Sequence, residues 1–140
     1  MHGVQKVAKP FLYDLMRSLE HQPFMLMESA PSQVNWQSYS PLKRLGQMAA
    51  TELQAVFHGA DTVQFFKLKQ AVSGSKKFHS AIIAHSQRTD TRVFKELTDL
   101  GQKLKKAGPT ILGSKTRVKL AIVFDWRLSW SIERCHRHLG

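Results

Sequence analysis

Cysteine is nearly absent from this chain: Cys135 stands alone, so no disulfide can close within it. The lone thiol fits a reducing cytoplasm, the expected location. No run of about 18 apolar residues occurs, so no transmembrane helix and no membrane partner are expected. Met1 is followed by His2-Gly3-Val4-Gln5-Lys6 without an apolar stretch, so no signal peptide is expected either. Asparagine occurs once, as Asn35. Carboxylates are scarce too, 10 against 21 Lys and Arg, for a formal charge of +11. Such an excess attracts nucleic acid when it is gathered on one surface. Here it is dispersed. The densest cluster, Lys103, Lys105 and Lys106, falls at the end of an expected helix, where cations favour the helix dipole. A small basic nucleic-acid-binding protein is therefore the alternative reading rather than the first one. Internal repeats and low-complexity tracts are also missing.

What is present is a hydrophobic content of 42% over 140 residues, enough for one ordinary globular domain. Phe11, Leu12, Leu15, Met16 and Leu19 recur at helical spacing behind Pro10, which predicts a helix over 10–20. Phe24-Met25-Leu26-Met27 is too short an apolar run for a helix and fits a buried parallel strand, ended by Glu28. Residues 29–36 read as a loop. Ser40-Pro41 predicts the start of a second helix, with Leu42, Leu45, Met48, Ala49, Leu53 and Val56 on its apolar face and Gly59 as its stop. Thr62–Phe66 reads as a second strand, followed by a long loop to about Arg88, of a length that is usually functional. Val93, Phe94, Leu97, Leu100 and Leu104 predict a third helix from Thr91 to Lys106, ended by Gly108-Pro109. Val118–Phe124 reads as a third strand, with a short helix through Trp130 and Glu133. Helices alternating with strands imply an α/β fold with parallel strands.

Glu28 follows directly on a buried strand. In a (β/α) barrel the active site is built at the carboxyl ends of the strands, so a carboxylate there points at the central pocket. A glutamate that opens a loop is more often only a solvated side chain. Trp36, Phe66 and His79 also fall on carboxyl-end segments, and aromatic rings are surfaces on which sugars pack. Together they make a carbohydrate-like constellation, though each is a weak signal by itself.

The segment Phe24-Met25-Leu26-Met27-Glu28-Ser29-Ala30-Pro31-Ser32, followed by Asn35-Trp36, resembles the nucleophile strand and loop of glycoside hydrolase family 42 beta-galactosidases. His58-Gly59-Ala60-Asp61-Thr62-Val63 resembles the family's approach to barrel strand eight, and Gly74-Ser75-Lys76-Lys77-Phe78-His79 the loop after it. Asp14-Leu15 with Arg17, Thr91–Phe94 with Glu96-Leu97, and Phe124-Asp125-Trp126 with Trp130 resemble further parts in the same order.

The resemblance implies a partial (β/α)8 TIM barrel, its last two β/α units within 1–110, then the first strand and helix of a trimerisation domain of α/β type at 111–140. It implies hydrolysis of a beta-galactoside sugar by retaining double displacement in a protein that forms a homotrimer when complete. Glu28 takes the nucleophile position, and Trp36, Phe66, Lys76 and His79 take substrate-binding positions. Lys76 departs from the family pattern, which has a Glu there, and an ammonium cannot accept a hydroxyl hydrogen bond. Lys67-Leu68-Lys69 stands where the family continues Gln-Trp-Arg.

The family's acid/base is the Glu of an Asn-Glu pair, and no such pair occurs in this chain. A chain with one of the two carboxylates is expected to be inactive alone, with the first six strands upstream of Met1 or lost, as in an inert gene remnant. No cofactor is expected. No metal is expected either: Cys135, His136 and His138 have poor ligand spacing.

Overall fold

The computed structural model describes residues 2–115 and 119–127, with side chains described from Lys9 onward. Its elements run α1 (His2–Glu20), β1 (Phe24–Ser29), α2 (Gln47–Phe57), β2 (Ala60–Phe65) and α3 (Arg92–Ile111). The chain divides into two units, Met1–Gly108 and Pro109–Gly140.

In the first unit β1 and β2 pair in parallel, joined by a crossover through α2. This is the small α/β arrangement that the alternation of helical and strand-like segments implies. The core is where Tyr13 of α1, Ala55 of α2 and Ala60 of β2 meet, with Phe24 and Leu26 packed against them. Tyr13 stacks on Phe24 with ring centroids 5.6 Å apart. Short side chains at 55 and 60 let helix and sheet approach closely.

The turn from α2 into β2 requires its glycine. Gly59 has φ +102°, and a Cβ there would come within 2.8 Å of the Arg17 side chain. Arg17 and His58 both bond to Asp14, the His58 Nδ1 at 2.9 Å, which ties α1 to the end of α2.

Helix boundaries differ from expectation at three places. Helix α1 continues through Pro10, whose fixed φ is helical and which removes only one backbone donor. Helix α2 begins at Gln47, not Ser40, because Gly46 is left-handed (φ 75°, ψ −12°) and no helix can run through it. Ser40 accepts a hydrogen bond from the Val34 N–H at 2.8 Å and so orders the loop instead. Leu42 and Leu45 then fall outside the helix, 65% and 78% exposed, and the buried positions of α2 are Met48, Glu52 and Ala55. Helix α3 begins as expected, with the Phe94 N–H reaching the Thr91 hydroxyl at 3.4 Å, and Leu100 is its buried residue. It passes Gly108-Pro109 and ends at Ile111.

In the second unit the expected strand does not form over the described residues 119–124. Leu120, Ile122 and Val123 are 89%, 78% and 96% exposed. An apolar run becomes a strand only when a neighbouring strand extends a ladder along it. Phe124 and Trp126 meet edge to face at 4.7 Å. Val118 and the expected helix through Trp130 and Glu133 lie outside the described residues, as do Cys135, His136 and His138.

Candidate functional site

Strand register decides where Glu28 points. Leu26 pairs with Val63, and Ser29 with Phe65, so three steps on β1 oppose two on β2. This is a bulge, and it shifts the alternation of side chains by one. Without it, Phe24, Leu26 and Glu28 would share the face that packs on the helices. With it, Ser29 returns to that face and Glu28 stays exposed beside Met27. Glu28 therefore lies within the strand, one residue before its end, rather than just after it.

The covered side of the same strand end holds a buried polar group. Glu52 of α2 has no exposed surface. Its Oε1 accepts the Ser29 hydroxyl at 2.6 Å and lies 3.8 Å from the Lys43 ammonium. Lys43 Nζ also donates to the Ala30 carbonyl at 2.5 Å. Glu52 Oε2 is buried without a partner among the described residues. Burial holds the Lys43 pKa below the usual lysine range, with Glu52 drawing it partly back up. Burial, and then Glu52, raises the Tyr13 pKa. Glu52 was legible as an anomaly: Met48, Glu52 and Ala55 are spaced to share one helical face, and that face is the buried one.

The loop after β2 brings three of the expected residues together. The Phe66 N–H donates to the Ser29 carbonyl at 3.0 Å, so Phe66 sits beside the Glu28 strand end. The His79 ring meets Phe66 edge-on at 5.2 Å, is 1% exposed, and its Nδ1 lies 2.9 Å from the Ser80 carbonyl. Lys76 Nζ lies 5.7 Å from the Phe66 centroid, and Lys67, noted in the sequence only as a departure from the family pattern, at 5.5 Å. Lys67 Nζ also donates to the Lys76 carbonyl at 3.0 Å. Trp36 remains apart on the loop after β1, 67% exposed.

The two carboxyl-end loops are laced together. The Ser80 hydroxyl accepts from the Ser32 N–H at 2.9 Å, and the Ser80 N–H donates to the Gln33 carbonyl at 3.0 Å. The Asn35 amide donates to the Ser75 carbonyl, while Asn35 Oδ1 is buried and unpartnered among the described residues. A cleft of about 240 Å³ next to this lacing is lined by Ser32, Gln70, Ser80, Ala84 and Arg92, and includes none of the expected site residues. Among the described residues no group of three His, Cys, Asp or Glu could hold a metal, and no helix is long and apolar enough to cross a membrane.

The arrangement is thus an exposed carboxylate one residue before a strand end and, on the loop after the neighbouring strand, an aromatic ring with a buried imidazole and two ammonium groups around it. Against known proteins, the profile of glycoside hydrolase family 42, described as beta-galactosidase, matches residues 3–107. The chain is 84% identical over 123 residues to Beta-galactosidase LacZ of Lactobacillus acidophilus, covering 88% of this chain and 18% of that protein. The crystal structure of a beta-galactosidase from Bacillus circulans sp. alkalophilus superposes with a TM-score of 0.83 at 44% identity, over 89% of this chain and 19% of that one. A catalytic mutant of Gan42B, a GH42 beta-galactosidase from G. stearothermophilus with a glutamate changed to alanine, superposes with a TM-score of 0.82 at 38% identity, over 89% and 18%. The chain spans about a fifth of the length of these relatives.

Proposed function

The chain belongs to glycoside hydrolase family 42, the beta-galactosidase family, and from that premise we propose that it is the nucleophile-bearing part of a retaining beta-galactosidase. The observation that carries the reading is the bulge in β1, which leaves Glu28 exposed on the open face of the sheet at the carboxyl end of the strand. The relative solved as a catalytic mutant was altered at a glutamate, the residue type Glu28 supplies.

In this reading β1–α2 and β2–α3 are the last two β/α units of a (β/α)8 barrel, and α1 is the helix before them. Residues 111–140 begin the trimerisation domain, and the complete enzyme is a homotrimer. The Glu28 carboxylate attacks the anomeric carbon of a terminal beta-galactoside, while a second carboxylic acid protonates the departing glycosidic oxygen. The bond from carbon to that oxygen breaks as the bond to Glu28 forms. The second carboxylate then takes a proton from water, whose oxygen displaces Glu28 and returns the beta configuration. That second group is absent from this chain as an Asn-Glu pair. Losing a general acid typically costs about 10²–10⁴-fold, so the chain alone does not turn over substrate. Trp36, Phe66 and His79 form walls of the galactose site, and Lys76 places a cation where the sugar hydroxyls need an acceptor.

The test is a chimera in which this chain replaces the matching segment of Lactobacillus acidophilus LacZ. Glu28→Gly should lower turnover of a nitrophenyl beta-galactoside on the order of 10⁴-fold. Azide should restore turnover and yield alpha-galactosyl azide, because it enters from the face the carboxylate vacated. Activity that survives Glu28→Gly, or a beta-configured azide product, rejects the assignment.

A further inference from the structure

Glu28 is aimed by an irregularity, and irregular registers need something to hold them. The extra residue of β1 lies between Leu26 and Ser29. An opposite irregularity lies between Phe24 and Met25, so that Phe24↔Ala60 and Ser29↔Phe65 share one register, and straightening β1 between Leu26 and Ser29 would turn Glu28 into the helix-packed face and Ser29 out of it. Backbone pairing alone favours that straightening, since a bulge leaves a residue without its ladder partner.

The residues directly after Glu28 are held by side chains instead. Ser29 donates its hydroxyl to Glu52 at 2.6 Å, and the Ala30 carbonyl accepts from Lys43 at 2.5 Å. Glu52 and Lys43 face each other at 3.8 Å, which closes the set. Packing does not call for this arrangement. Position 52 is buried between Met48 and Ala55 on α2, where an apolar residue would avoid the desolvation of a charge. One carboxylate oxygen is moreover left without a partner among the described residues. A costly, half-satisfied carboxylate whose one short bond is to Ser29 indicates a demand for that bond.

We propose that Glu52 and Lys43 are positioning residues that lock the bulge of β1 and so keep Glu28 on the open face; this rests on the reading of Glu28 as nucleophile. Neither touches the sugar. They act through Ser29 and Ala30, so their removal lets the strand sample the regular register and lowers the fraction of molecules in which Glu28 can attack.

The experiment is a double-mutant cycle in the same chimera, with Ser29→Ala, Glu52→Ala and the double variant. The readouts are kcat and KM for a nitrophenyl beta-galactoside and the rate of covalent labelling by a 2-fluoro galactosyl inactivator. Each single change should lower kcat and the labelling rate about tenfold to a hundredfold, with KM changed less than about threefold. The double variant should be no slower than the slower single one, because both break the same bond. Glu52→Gln keeps an oxygen for Ser29 to donate to and should recover kcat to within about threefold of the parent even if its melting temperature falls.

Multiplying losses in the double variant overturn the inference. So does a Glu52→Gln chimera as slow as Glu52→Ala, or a Ser29→Ala chimera with unchanged kcat and labelling. If Glu52→Ala does not fold, Ser29→Ala and Glu52→Gln decide the matter between them. A chimera that stays active with Glu28→Gly refutes the nucleophile assignment instead, and that result is distinct from any outcome of the cycle.

Discussion

On one face of the β1–β2 sheet, Phe24, Leu26 and Ala60 meet Tyr13 and Ala55, and Ser29 meets Glu52. On the other, Met25 and Met27 are 52% and 63% exposed and Glu28 stands in solvent beside them. The covered face is completed by segments close in sequence: the helix before β1 and the helix between the strands. The open face finds no cover among the described residues. In the proposed barrel it is the inner wall, completed by strands and a second carboxylate that this chain does not carry. In that proposal stability comes from the covered face and chemistry from the open one, and the bulge is where a residue passes from the first role to the second.

Substitutions should divide along the same line. Tyr13→Ala in the chimera removes a buried ring stacked on Phe24 and should cost about 3 kcal/mol of stability, measured by urea unfolding. Met27→Ala should cost as much only where the open face is covered. A Tyr13→Ala variant as stable as its parent would dissolve the contrast. The isolated chain should self-associate through the open face and the sheet edges, seen as concentration-dependent sedimentation. Met25→Lys with Met27→Lys should reduce that association severalfold. A monomer with a sharp cooperative melt would show that the open face needs no cover.

Lys76→Glu in the chimera should raise kcat/KM about tenfold, since it returns an acceptor for sugar hydroxyls, and a charge-assisted hydrogen bond contributes roughly 1.5–3 kcal/mol. Unchanged kinetics would mean that Lys76 lies outside the galactose site. The smallest effect is in the pH dependence. The folded state holds the Lys43 proton less tightly than the unfolded chain does, so between the lowered pKa and the ordinary 10.5 the unfolded chain binds more protons. The Lys43 contribution therefore makes stability rise with pH through that window. The raised Tyr13 pKa acts the opposite way, because above about 10 the unfolded chain loses its tyrosine proton first. Lys43→Met should flatten the rising part of the profile. A profile that keeps its slope would assign it elsewhere.

Much of this division is legible in the sequence. The apolar run at 24–27 and the β-branched and aromatic residues of 62–66 mark both strands, because such short segments between turn signals leave few alternatives. Gly59 marks a turn whose φ only glycine takes readily. Helix ends were harder. Gly46 stops α2 from starting at Ser40-Pro41, and whether a glycine adopts a left-handed turn depends on contacts such as the Glu96 carboxylate that accepts its N–H at 2.8 Å. The run at 119–124 looks like a strand locally, yet a strand also needs a partner. Among site residues, the family motifs point to Glu28, Phe66, Lys76 and His79, and the structure gathers the last three around one ring. The bulge could not be read, because a register is a property of two strands and alternation along one of them gives no sign of the extra residue. Glu52 was missed, although its spacing from Met48 and Ala55 puts a charge on the buried stripe, and its partner Ser29 lies 23 positions away, so that only the fold brings them together.

In the proposed enzyme the bulge places Glu28, and no other carboxylate of this chain, where a sugar's anomeric carbon can be attacked. The most direct measurement is mass spectrometry of the chimera after inactivation with a 2-fluoro galactosyl reagent, which traps the covalent glycosyl-enzyme. A single labelled peptide carrying the sugar on Glu28 is expected, with Glu52, Glu96 and Asp61 unmodified. A label on any of those three, or full inactivation without a labelled Glu28, would contradict that placement.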